Sequence, residues 1–380
     1  MNPRSPGRKA ALVPLVLGLG AALAACGSNG DKAASGSGAR KVEVALTDTG
    51  CEPAKLQLAA GAVTFNVTNK GTDKVSEFEV ADGDRILGEV ENVTAGLERN
   101  FTLNLQPGDY VLKCPGGSTA PEGALTVTGE GAAAGAADAQ LTAVAESYRR
   151  YVEGQTGALV STTRTFVNAV VAGDVASAKR AYGPARVPYE RIEPVAESFG
   201  DLDPAIDARA GDVPANEWGG FHKIEQALWV KNTTAGMAPV ARKLLSDVTD
   251  LRAKVRTVEL DAPQIANGAN ELLGEVSKSK ITGEEERYSR IDLVDFKANL
   301  DGARAAFDAV RPALDKRDAE LGATIQSRFE AADQSLAPYR QRTGYFPYNR
   351  LTDADTRKLA QTIDALAEPL SQVSARLAGG

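Results

Sequence analysis

Histidine is nearly absent: His222 is the one imidazole in 380 residues. That excludes any site built on several histidines, including the zinc-peptidase motif that needs two of them at i and i+4. Methionine is as scarce, with none between residues 2 and 236. Cysteine occurs three times, at Cys26, Cys51 and Cys114. Basic residues are outnumbered, 43 against 50 acidic ones, and the formal net charge is −7. Phosphate backbones require a basic surface, so a nucleic-acid partner is excluded. What is left for metal chemistry is carboxylate, with at most one imidazole.

The N-terminus is basic at Arg4, Arg8 and Lys9, followed by an apolar run over residues 10–23 that Pro14, Gly18 and Gly20 interrupt. A membrane-spanning helix needs about 20 apolar residues, and this run is shorter. Its layout is that of a secretory signal over residues 1–25. Leu23-Ala24-Ala25-Cys26 resembles a bacterial lipobox, in which the cysteine is acylated and becomes the first mature residue. The alternative is an ordinary signal peptide with small residues at its cleavage site. Losing residues 1–25 removes three positive charges and takes the net charge from −7 to −10, a balance suited to multivalent cations. Export predicts a membrane lipoprotein facing the extracytoplasmic side, where a disulfide is permitted.

Composition then divides the chain. Residues 26–40 are rich in Gly, Ser and Ala and form a lipid-anchored tether. Residues 41–128 carry period-two runs such as Lys41-Val42-Glu43-Val44-Ala45-Leu46 and Val63-Thr64-Phe65-Asn66-Val67-Thr68, separated by turn signals. They predict a β sandwich or barrel. Residues 129–137, nearly all Gly and Ala, read as a linker. Residues 138–380 switch to helical spacing, with stripes such as Leu293, Phe296, Leu300, Ala303 and Phe307. They predict an all-α bundle whose segments are punctuated by Pro184, Pro188, Pro194, Pro214, Pro263, Pro312, Pro338 and Pro347.

The informative helical segment is Gly219-Gly220-Phe221-His222-Lys223-Ile224-Glu225. Three residues apart on a helix, His222 and Glu225 share a face and can grip one ion. The spacing alone equally describes a simple ion pair. Glu190 and Glu193 repeat the same i, i+3 arrangement, and Asp201, Asp203 and Asp207 follow. Glu284-Glu285-Glu286 adds three adjacent acids, which cannot all point at one site and read as a solvated face. The Tyr345-Phe346-Pro347-Tyr348 cluster reads as a packed loop.

Gly-Phe-His222-Lys-Ile-Glu225 followed by Leu228-Trp229 resembles the His-x-x-Glu motif of the imelysin, or M75, family. Glu193-Pro194-Val195-Ala196-Glu197-Ser198-Phe199-Gly200-Asp201-Leu202-Asp203 and Lys280-Ile281-Thr282-Gly283-Glu284-Glu285-Glu286-Arg287-Tyr288-Ser289 resemble its flanking regions. A β domain in front resembles the EfeO family, which spans nearly all of the chain after the signal. The resemblance implies a cupredoxin-like sandwich followed by a helical bundle of two similar halves with metal in a cleft between them. It implies His222 and Glu225 as the first ligand candidates, then Glu190 and Glu193, then Asp207 with Asp203, and Glu285. It implies iron, ferrous or ferric, as the cargo, and an EfeU-like permease and an EfeB-like haem peroxidase as partners. Oxygen donors with one nitrogen suit hard iron, and ligand type also admits zinc, copper and manganese. The M75 family's peptidase label makes a metallopeptidase the alternative function, for which one histidine is poor machinery.

A cupredoxin copper site wants two histidines, a cysteine and an axial methionine. Residues 41–128 hold no histidine and no methionine, so blue-copper electron transfer is excluded. Two readings of Cys51 and Cys114 remain. One is a disulfide between an early and a late strand. The other, implied by similar placement in the family, is an accessory metal or redox site of both thiolates with Glu77.

Overall fold

The computed structural model describes residues 39–129 and 136–378. The signal segment, Cys26 and nearly all of the tether lie outside the described residues. No helix among the described residues is long and apolar enough to cross a membrane.

The first domain is a two-sheet sandwich. Strands β1 (Arg40–Thr47), β2 (Gly50–Glu52), β4 (Gly61–Asn69) and β7 (Glu98–Leu105) form one sheet in the order β2-β1-β4-β7. Strands β3 (Lys55–Ala59), β5 (Phe78–Asp82), β6 (Arg85–Val90), β8 (Gly108–Lys113) and β9 (Glu122–Thr128) form the other, in the order β3-β9-β8-β5-β6. Alternation puts Val42, Val44 and Leu46 of β1 inside, against Phe65, Phe78 and Phe101. Cys51 on β2 and Cys114 just after β8 are joined in a disulfide that ties the two sheets together. With both sulfurs oxidised in this form, the two thiolates with Glu77 do not make a metal site. Glu77 instead lies with Glu79 and Glu89, one oxygen of each within 4.8 Å of the others.

The second domain is helical: α1 (Ala136–Val171), α2 (Val175–Glu190), α3 (Leu202–Asp207), α4 (Gly220–Trp229), α5 (Ala238–Lys254), α6 (Ala262–Lys278), α7 (Asp292–Leu336), α8 (Asp353–Leu370) and α9 (Val373–Ala378). The apolar stripes face one continuous core: Val144, Tyr148 and Val152 of α1, Leu244, Val248 and Leu251 of α5, and Leu359, Ile363 and Leu366 of α8 are all buried. Three prolines do not punctuate as expected. Pro184 and Pro188 sit inside α2 and Pro312 inside α7. A proline inside a helix costs about 3 kcal/mol, and the buried face of α2 (Ala178, Tyr182, Ala185 and Tyr189) offsets that by packing. The break in α7 falls instead at Asp318, whose φ/ψ of −156°/78° is non-helical.

Helix α6 joins the two domains. Its Asn267 Nδ2 donates to the Thr102 carbonyl at 2.8 Å, and the Glu91 N–H donates to Glu271 Oε1 at 2.9 Å. Gly268, beside Asn267 on α6, lets the helix close on the chain at Pro194. A Cβ there would lie 1.7 Å from the Pro194 carbonyl oxygen, so any side chain would push away the segment that carries Glu193.

Burial pushes the Glu271 carboxyl up to about 7, against the Glu91 hydrogen bond, which favours the charged form. A raised carboxyl binds its proton more tightly in the folded state. Its contribution is therefore complete below about pH 4.5 and is lost as pH rises through about 7. Glu271→Gln keeps the accepting oxygen and removes the titration. Thermal melts are expected to show the variant more stable than the parent by roughly 1–3 kcal/mol at pH 8 and indistinguishable at pH 4.5. Equal melts at pH 8 would refute this.

Candidate metal centre

The His-x-x-Glu helix is set in place by Gly220, at φ +65°, where a Cβ would meet the Ile206 carbonyl oxygen at 2.2 Å. Only glycine allows α4 to start so close to the end of α3, and this brings His222 beside Asp207. The amphipathic face behaves as patterned: Phe221, Ile224 and Leu228 pack into the core. His222 and Glu225 are buried as well, at 1% and 0% exposure, so they face an enclosed cage.

Within that cage the two nitrogens of His222 have different roles. Nδ1 lies 3.2 Å from Glu225 Oε2. Glu225 Oε1 accepts from the backbone N–H groups of Tyr288 at 2.9 Å and Ser289 at 2.6 Å. Both carboxylate oxygens of Glu225 are thereby engaged, and the residue orients the ring. Nε2 is buried without a hydrogen-bond partner among the described residues. It lies 3.5 Å from Asp207 Oδ1 and 3.6 Å from Glu285 Oε1. Atoms of Asp207, His222 and Glu285 fall within 4.8 Å of one another, close enough to share one ion. An imidazole held by a carboxylate on one nitrogen and open on the other is the arrangement of a metal ligand with its supporting group.

Burial and Arg186 both oppose a proton on His222, yet Asp207, Glu225 and Glu285 outweigh them and raise its pKa to about 9. Burial favours a neutral Glu285, but Lys280, His222 and Arg186 hold it well below the usual carboxylate range. In the metal-free cage a proton therefore sits where an ion would bind, and an incoming ion must displace it.

The cage also contains two buried cations. Arg186 of α2 is fully buried and contacts Glu190, Asp207, Glu285 at 3.2 Å, Glu286 at 2.6 Å and Asp295 at 3.0 Å. Its guanidinium also lies 5.6 Å from the Phe221 ring centroid. Burial opposes its charge, but Asp207, Glu190, Asp295 and Glu286 hold it protonated. Lys280 pairs with Glu193 and approaches Glu190 at 3.8 Å and Glu275 and Glu285 at 3.9 Å. Asn299 Nδ2 donates to Glu190 Oε2 at 3.0 Å and to Glu193. Burial lifts Asp295 to about 8 despite Arg186.

The family comparisons bear on this cage. The imelysin (peptidase M75) family profile matches residues 144–373, and the cupredoxin-like domain profile matches residues 16–127. The iron uptake system component EfeO of Escherichia coli strain K12 is 42% identical over 340 residues, which cover 88% of this chain and 90% of that protein. The EfeO protein of Escherichia coli O157:H7 matches to the same extent. The chain belongs to the EfeO family. Among solved structures, auracyanin A from Chloroflexus aurantiacus, a blue copper protein, covers 24% of this chain at 16% identity and a TM-score of 0.22, too low to carry an argument.

In this EfeO-family chain the expected ligands divide into groups. Asp207 and Glu285 meet the His222 ring. Glu225 stands behind it. Glu190 and Glu193 reach the cage through Arg186 and Lys280. Asp203 accepts from the Tyr189 hydroxyl and lines a separate cavity. The acidic triplet differs from expectation. Glu285 and Glu286 both point inward to Arg186 while Glu284 stays exposed, because the segment is a tight turn and not a helix. Tyr348 helps hold that turn: its hydroxyl donates to the Ile281 carbonyl, and its N–H donates to the Arg290 carbonyl at 2.9 Å. Arg186, Lys280, Glu286 and Asp295 were not expected. Only Arg186 left a local signal, four residues before Glu190 on the same helix.

Proposed function

We propose that this chain is an exported lipoprotein that captures iron at His222, Asp207 and Glu285 and passes it to an EfeU-like permease, with an EfeB-like haem peroxidase as a further partner. The observation that carries this reading is the buried, unpartnered Nε2 of His222 facing two carboxylates. The donor set of one nitrogen and carboxylate oxygens suits iron in either valence. The names of the relatives, components of an iron uptake system, agree with it. Export and lipidation rest on the basic N-terminus, the apolar run and Cys26. Capture exchanges a proton for the ion. Release follows reprotonation or a change of iron valence, since the donors bind best when deprotonated.

The test is a titration of the mature chain with ferrous iron under anaerobic conditions and with a ferric chelate, read by calorimetry and X-ray absorption. One ion bound in a shell of one nitrogen and several oxygens, with no sulfur, is the expected result. A sulfur-containing shell or no binding would overturn the reading.

Glu225→Gln tests the orienting role. An amide nitrogen facing Nδ1 would drive the imidazole proton onto Nε2 and block it as a ligand. Iron affinity is expected to fall by about 10–100-fold, the range for removal of a ligand's supporting group. An unchanged dissociation constant would rule that role out.

A further inference from the structure

Two openings flank the His222 cage: a cleft that His222 and Glu285 themselves line, and a cavity that Lys280 separates from the triad; they differ in whether arginines or carboxyl groups line them. One is a narrow cleft at the surface, where Arg209 and Arg287 line the approach with Glu284 and Tyr288. Arg209 Nη1 already sits 3.3 Å from Glu285 Oε2. Two guanidinium groups at this mouth repel an incoming cation. The other side is a cavity of about 90 Å³ enclosed by β6, the turn after Glu193 and α6. Glu89, Glu193, Asp203, Glu271 and Glu275 line it, and among the described residues no lysine or arginine does. Its volume holds several water molecules, enough for a partly hydrated ion.

Lys280 stands between this cavity and the triad. Its ammonium contacts Glu193 and Glu275, which line the cavity, and Glu190 and Glu285, which belong to the cage. Glu285 in turn offers its other oxygen to His222 Nε2. An ion moving inward must take over these carboxylates from the ammonium. The two buried cations of the cage differ in this respect. Arg186 is a planar fork fixed by five carboxylates on four chain segments. Lys280 is a point charge on a flexible stem, with one close partner and three at 3.8–3.9 Å.

We propose that iron reaches the His222 triad through the carboxylate-lined cavity between the two domains, and that Lys280 is the cation it displaces on the way. This rests on the reading of the triad as an iron site. Lys280 acts as a positioning residue: it keeps the converged carboxylates stable without metal and sets how firmly they hold the metal that replaces it.

The experiment compares wild type, Lys280→Gln, Glu89→Gln and Arg287→Gln by ferrous-iron titration, stopped-flow loading and thermal melts with and without iron. Without the ammonium, Glu193 and Glu275 lose the cation they face, while Glu190 and Glu285 keep Arg186. Lys280→Gln is expected to melt lower without metal, gain more stability on loading than wild type, and bind iron about tenfold tighter. A lysine with a merely structural role would lower the melt without tightening binding. Glu89→Gln, at the cavity and away from the triad, should slow loading by about three- to tenfold, and Arg287→Gln should leave it unchanged. If Lys280→Gln does not fold, these loading rates still decide the route. Faster loading in Arg287→Gln with none of the slowing in Glu89→Gln would overturn the cavity route, and weaker or equal binding in Lys280→Gln would overturn the displacement. In both cases wild type would still bind iron through His222. Failure of wild type to bind at all would sink the iron reading and this inference together.

Discussion

His222→Ala is expected to lose iron affinity by more than the roughly 10–100-fold that removal of a supporting group costs, because it deletes the nitrogen donor itself. No second histidine exists to replace it. The alanine variant leaves Asp207, Glu285 and Glu225 facing a void, with only oxygen donors. The pH dependence should change with it. In wild type His222 holds a proton up to about pH 9, because Asp207, Glu225 and Glu285 outweigh burial and Arg186. Iron must displace that proton, so affinity falls as pH drops below about 9, by up to about tenfold per unit for this one group. The alanine variant should lose that component of the slope. Calorimetric titrations between pH 6 and 9 measure both effects. An alanine variant that binds as tightly as wild type would show that the triad does not hold the ion.

Arg186→Met is expected to destabilise the metal-free fold by about 3–5 kcal/mol, the cost of removing one partner from a buried ion network. Glu190, Asp207, Glu285, Glu286 and Asp295 would be left in a dry interior with their main counter-charge gone. Some would take up protons, so the loss should be greater at pH 8 than at pH 5. Arg186→Lys should rescue only part of it, because an ammonium cannot reproduce the fork that bridges carboxylates from α2, α3, α7 and the turn at 285–286. Iron should restore more stability to the methionine variant than to wild type, since it returns positive charge to the same carboxylates. Chemical denaturation with and without iron reads these differences. A loss under about 1 kcal/mol would mean that Arg186 is not what holds the carboxylates together.

The two ion networks explain why part of the site was legible and part was not. His222 and Glu225 are neighbours on one helical turn, so spacing put them together before any tertiary contact was known. The imelysin resemblance then pointed to Asp207 and Glu285, which do meet the ring. It also pointed to Glu190 and Glu193, but composition gave no sign that buried cations stand among them. Lys280 looks in sequence like any surface residue, the one local mark of Arg186 is its i, i+4 spacing to Glu190, and the burial of both is a property of the assembled fold. Glu284-Glu285-Glu286 was misleading for a related reason. Its inward turn depends on long-range anchors at Arg186 and Glu225, which local pattern cannot contain.

Local chemistry by itself determined the order of the chain: a sandwich from period-two strands, a bundle from 3.6-residue stripes, and one imidazole with its carboxylate on one face of a helix. The scarcity of histidine and methionine excluded blue copper without any coordinates. Tertiary structure alone decided which oxygens face Nε2, that the cysteines are paired, and that an arginine and a lysine fill the acidic interior. The physical reason is range. Backbone periodicity is set by neighbours within a turn, whereas charge compensation in a buried cage is set by groups brought from α2, α3, α4, α7 and the loop between α6 and α7 into one low-dielectric space.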